Sequence, residues 1–267
     1  MCLVHKLKMT LVLVAALFVS MVVHAEEKTL NVYAAASLTG AFKEIGAKFE
    51  LEHPGVKVAL NFGASNQLRM QIDQGAKADV FASANKKEMG EALKSGTVAA
   101  GADKIFARNK LTVIMPKDNP GKVTKLTDLT RKGLKVVLAA EQVPVGKYAA
   151  ESFEKMQADP AYGASFKADV IANVVSREQD VKAVLAKVRL GEADAGIVYV
   201  SDSVGAANAD LQVLEIPDNF NVIAEYPIAV LAKAPEAELA GQFVTAVLSE
   251  AGQASLKKAG FAAPAVK

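Results

Sequence analysis

Ala34-Ala35-Ala36-Ser37-Leu38-Thr39-Gly40 joins two patterns of different period. Upstream, Leu30, Val32 and Ala34 alternate with Asn31, Tyr33 and Ala35, as in a short strand. Downstream, Leu38, Phe42, Ile45 and Phe49 fall on one face of a helix. The small residues between them make a tight strand-to-helix turn with a serine at the helix start. Such a turn aims free backbone N–H groups, a hydroxyl and the positive helix end at one point, which suits an anion. The plainer reading of the same serine is an N-cap on a βα turn.

The next unit repeats the design. Residues 56–62 read as a strand after the Pro54-Gly55 turn, and Gly63-Ala64-Ser65-Asn66 leads into a helix with Leu68 and Ile72, closed by Gly75. Residues 78–82 make a short buried strand. Asn85 caps a helix that turns Met89 and Leu93 inward and stops at Gly96. Strands are expected at 110–115, 134–139, 170–174, 195–200, 211–216 and 222–231. Pro144 and Gly146 flank Val145, which keeps a free N–H ahead of a helix carrying Ala149, Phe153 and Met156. Val181, Val184, Leu185 and Val188 form a helical stripe ending at Gly191, and a terminal helix carries Leu239, Phe243 and Val247. Ser176-Arg177-Glu178-Gln179 matches a capping box, which would put the Val181 N–H inside the helix. A later start near Asp180 would leave it free, and the local pattern allows both. Alternating strands and helices throughout indicate an α/β class.

Residues 1–25 read as a signal peptide. Lys6 and Lys8 form a basic start, 11–23 is an apolar run, and Val23-His24-Ala25 supplies a small residue for cleavage after Ala25. The single cysteine, Cys2, falls in this segment, so the exported chain has no disulfide. Without Lys6 and Lys8, positive and negative side chains balance at 29 each. A neutral body argues against general nucleic-acid binding.

Beyond the signal peptide the chain has one histidine, His53, in a helix-ending turn. A Ser-His-Asp triad, a Cys-His pair and a zinc site are therefore poorly supported. No GxxxxGK[ST] or GxGxxG turn occurs, which argues against a nucleotide cofactor.

Several blocks together resemble the type II periplasmic binding proteins and, within them, the molybdate-binding proteins of ABC transporters. They are Ala34-Ala35-Ala36-Ser37-Leu38-Thr39, Phe62-Gly63-Ala64-Ser65 and Ala78-Asp79-Val80-Phe81-Ala82-Ser83 in the first part of the chain. Val143-Pro144-Val145-Gly146-Lys147-Tyr148, Asp180-Val181, Gly196-Ile197-Val198-Tyr199 and Glu225-Tyr226-Pro227 follow in the same order. The resemblance implies two α/β lobes joined by a two-strand hinge, with the ligand held between them. The crossings are expected near Ala107 and Val222. Lobe one would comprise 26–107 plus 223–267, and lobe two 108–222. By position, the ligand contacts fall on Ser37 and Ser65 in lobe one and on Val145, Val181 and Tyr199 in lobe two. Val145 and Val181 would contribute only backbone N–H groups.

The implied ligand is molybdate or tungstate, with no separate cofactor. The implied partner is an ABC transporter permease, and the protein is expected to be a periplasmic monomer and not an enzyme. Two rivals stand beside this reading: a binder of another oxyanion, sulfate-like, or small anion on the same fold, and an exported α/β hydrolase using Ser37 or Ser65. The expected donors include no cation and no carboxylate. Phosphate would then be disfavoured by its unmet P–OH, and sulfate by its shorter bonds, at least ~100-fold.

Overall fold

In the computed structural model, which describes residues 27–205 and 209–265, β1 (Lys28–Ala35) buries Leu30, Val32 and Ala34 as the alternation predicts. The expected signal peptide and its cleavage point lie outside the described residues. A 3-10 turn (Ala36–Leu38) leads into α1 (Thr39–Glu52), whose Phe42, Ile45 and Phe49 face the core. β2 (Val56–Gly63), α2 (Ser65–Asp73), β3 (Val80–Ala82), α3 (Lys86–Lys94) and β4 (Lys104–Asn109) follow. Asn85 caps α3, its Oδ1 accepting the Glu88 N–H at 2.8 Å.

The chain then enters a second sheet. Its elements are β5 (Leu111–Pro116), β6 (Val136–Ala139), α4 (Pro144–Gln157), α5 (Phe166–Ala172), β7 (Val174–Glu178), α6 (Val181–Arg189), β8 (Ala195–Tyr199), α7 (Val200–Ser203) and β9 (Leu211–Glu215). β10 (Ala224–Val230) returns to the first sheet. α8 (Ala237–Leu248) and α9 (Glu250–Lys258) close the chain and pack on α1.

The strand orders are β2-β1-β3-β10-β4 and β7-β6-β8-β5-β9. In each sheet four strands share one direction, and the fourth in that order, β10 or β5, runs antiparallel to both its neighbours. The α/β fold expected from the sequence is present. The first passage between sheets falls at Lys110, a little past the crossing expected near Ala107; the second lies between Glu215 and Ala224. Asn221 ties the two passages together. Its Oδ1 accepts the Leu111 and Val222 N–H groups, each at 2.9 Å, and its Nδ2 donates to the carbonyls of Leu111 (2.9 Å) and Ile216 (3.1 Å).

Three local readings are corrected. The strand expected at 170–174 is the end of α5 and the start of β7. Phe166 and Val170 are one helical turn apart and fully buried, with Phe166 edge-on to Phe153 at 6.1 Å. The Ser176 capping box does not form, because Ser176, Arg177 and Glu178 pair with Val137, Leu138 and Ala139 in the sheet. A last helix, α9, follows the expected terminal one, with the Ser249 Oγ accepting the Gly252 N–H at 3.2 Å.

Candidate functional site

Register brings the site together. Ala35 pairs with Gly63, so the turns carrying Ser37 and Ser65 leave the first sheet side by side. Ala139 pairs with Glu178, so the turns before α4 and α6 leave the second sheet side by side. β8 lies on the other flank of β6 and ends at Tyr199. Both sets of carboxyl-terminal strand ends face one pocket, the usual place for a ligand in open α/β sheets.

Ser37, Ser65, Val145, Val181 and Tyr199 all line that pocket, together with Ala84, Val143, Pro144, Asp180 and the small residues Ala35, Ala36, Gly63 and Ala64. It encloses at most about 220 Å³. Pockets for drug-sized molecules begin near ~300 Å³, so this space suits an ion of a few heavy atoms. None of the five residues is more than 4% exposed. Donors there act with little screening from water.

Each donor is left over for a definite reason. Ser65 opens α2, and the Leu68 N–H is already bonded to the Ala64 carbonyl at 3.0 Å. The Ser65 Oγ accepts the Ala84 N–H at 2.9 Å, which leaves its own proton to donate. At α6, the Asp180 Oδ1 accepts the Lys182 and Ala183 N–H groups at 2.8 and 2.9 Å. The Val184 N–H reaches the Asp180 carbonyl at 3.4 Å, so only the first N–H of the helix, Val181, remains unspent. The later of the two starts open to the sequence is therefore the one observed.

Pro144 is the first residue of α4 and has no N–H, so Val145 presents the first one. Gly146 lets this turn approach β6. A Cβ there would stand 2.2 Å from the Ala140 carbonyl oxygen. The Val145 and Val181 side chains are buried in the core.

Tyr199 ends β8, and its hydroxyl is buried without a hydrogen bond of ordinary geometry. Burial, then the nearby Tyr226 and Tyr148, push its ionisation well above the ordinary tyrosine value, so it stays a neutral donor. The Ser37 Oγ lies 3.0 Å from the Tyr226 hydroxyl. Tyr226 and Ala84 are site-supporting residues that local sequence reading missed, since each acts through a long-range contact.

Among the described residues no lysine or arginine lines the pocket. Arg69 is held by Glu88 at 2.9 Å and by Asp73, and Lys147 sits 3.6 Å from Glu151. The expectation of a site without a carboxylate is corrected, because Asp180 is on the wall. One of its oxygens is committed to the cap of α6. Exclusion of phosphate for want of any acceptor no longer follows.

A family model for bacterial extracellular solute-binding proteins matches residues 30–262. The chain belongs to that family. Among similar solute-binding proteins, the molybdate-binding protein ModA of Mycobacterium tuberculosis is 39% identical over 237 residues, covering 89% of this chain and 85% of that one. The molybdate-binding protein ModA of Escherichia coli is 34% identical over 213 residues, covering 78% and 79%. The solved periplasmic molybdate-binding protein of Azotobacter vinelandii matches with a TM-score of 0.77 at 22% identity, covering 88% of this solute-binding protein and all of that chain. At that identity the likeness shows the fold, that of a type II periplasmic binding protein.

Proposed function

We propose that this solute-binding protein captures molybdate, or tungstate, in the pocket and delivers it to an ABC transporter permease. The observation that carries the reading is the convergence of Ser37, Ser65, Val145, Val181 and Tyr199 on one small, water-shielded space with no cation on its wall. Two curated relatives that align over most of this chain bear the name molybdate-binding. In this reading the two serines donate hydroxyl and backbone N–H, the valines backbone N–H, and Tyr199 its hydroxyl. Hydrogen bonds to a charged group contribute ~1.5–3 kcal/mol each, so five to seven exceed the ~8 kcal/mol of micromolar binding after ordering costs.

The protein acts outside the cytoplasm as an exported monomer whose two lobes close about the hinge at Lys110 and Asn221. It is a carrier and not a hydrolase. Among the described residues neither serine has histidine as a hydrogen-bond partner. His53 bonds the Phe49 carbonyl at 2.9 Å and stacks on the Phe49 ring at 3.9 Å.

Calorimetric titration of residues 26–267 with molybdate, tungstate, sulfate and phosphate tests the reading. Molybdate and tungstate should bind alike and sulfate at least ~100-fold more weakly, about 3 kcal/mol, because backbone donors cannot follow its shorter bonds. Sulfate displacing molybdate at equal concentration would make the site a general oxyanion cleft.

A further inference from the structure

The geometry points to Tyr226 as the positioning residue that turns the Ser37 hydroxyl proton toward the oxyanion, an inference that rests on the proposed site. A serine hydroxyl has one proton and two lone pairs. To donate into the pocket it must accept from the protein behind it. At Ser65 this is settled by a backbone N–H, which can only donate: Ala84 to Oγ at 2.9 Å. At Ser37 the partner is the Tyr226 hydroxyl at 3.0 Å, and either oxygen can donate.

A bound oxyanion can only accept, so it takes the Ser37 proton, and the Ser37–Tyr226 contact is then satisfied with the phenol donating. Tyr226 gives its proton to Ser37, and Ser37 gives its own to the pocket.

Ser37 and Tyr226 are both buried, Tyr226 fully so. No water competes for these bonds on the scale of a surface group. Burial also keeps the phenol protonated far into the alkaline range. Tyr226 itself is not on the pocket wall, so it acts through Ser37.

A double-mutant cycle read by molybdate calorimetry on residues 26–267 tests this. Tyr226→Phe keeps the edge-on ring contacts with Phe106 (6.3 Å) and Phe261 (5.3 Å) and removes only the hydroxyl. It should weaken binding about tenfold in the parent. In a Ser37→Ala background the further loss should fall below about twofold, while in a Ser65→Ala background the two losses should multiply. An equal loss in both serine backgrounds means a general structural effect and overturns the inference, as does parental affinity in Tyr226→Phe. Parental affinity in Ser37→Ala itself overturns the site assignment and the inference with it.

Discussion

Ser65 does two things with one oxygen. It satisfies a buried backbone N–H and keeps a proton for the pocket. Ser65→Ala should therefore cost both binding and stability. The binding loss is that of a hydrogen bond to a charged group, ~1.5–3 kcal/mol, and the stability loss is that of an orphaned Ala84 N–H, ~1–3 kcal/mol. Ser37→Ala should show a similar binding loss, and it leaves the buried Tyr226 hydroxyl without its partner. Calorimetry and denaturant melts of the two variants check this; an unchanged Ser65→Ala protein would remove the Ser65 assignment. Both serines were legible from their place after a strand and before a helix. Their supporting partners were not, because Tyr226 is 189 residues from Ser37 and Ala84 is 19 from Ser65.

The start of α6 is set between elements. Read locally, Ser176 and Asp180 are both acceptable caps. The pairing of β7 with β6 uses residues through Glu178, so the helix can begin only after it. That choice is what frees the Val181 N–H. Asp180→Ala should lose ~1 kcal/mol of stability with the cap and weaken molybdate binding as the first turn frays. Asp180→Asn keeps the capping oxygen and removes a negative charge from the pocket wall. It should fold as the parent does and bind the dianion at least as tightly. Weaker binding by Asp180→Asn in titration would mean that the carboxylate charge itself serves the site. The same scale explains the misplaced strand at 170–174: short apolar runs do not distinguish strand from helix, and packing of Phe166 on Phe153 and Tyr162 decided it.

At the scale of the molecule, an aromatic column links the core of the first sheet to the second. Phe42 meets Phe106 and Phe243, Phe106 meets Tyr226, and Tyr226 meets Tyr199 at 5.9 Å. Burial raises the ionisation of Tyr199 and Tyr226 above the ordinary value of 10.0, and that of Tyr148 as well. Below pH 10 native and unfolded chains both hold these protons. Above it the unfolded chain sheds protons that the native chain keeps, so stability must fall as pH rises. Each fully buried tyrosine contributes up to ~1.4 kcal/mol per pH unit to that slope. Urea melts from pH 8 to 11 should show the fall, and Tyr199→Phe or Tyr226→Phe should each make it shallower. A parental slope in both variants would show that these phenols do not carry the alkaline loss.

The sequence by itself determined the α/β class, most of the strands and helices, the two serine turns and the five residues expected at the ligand. The class, the elements and the serine turns follow from period and small residues, which are local or nearly so; the five ligand residues are what the resemblance of the ordered blocks implies. Tertiary structure alone decided which N–H groups stay free, that Asp180 joins the wall, and which partners aim the hydroxyls. Hydrogen-bond direction depends on what lies behind each donor, and in this chain that partner comes from elsewhere around the same sheet: Tyr226 from β10 and Ala84 from the turn after β3.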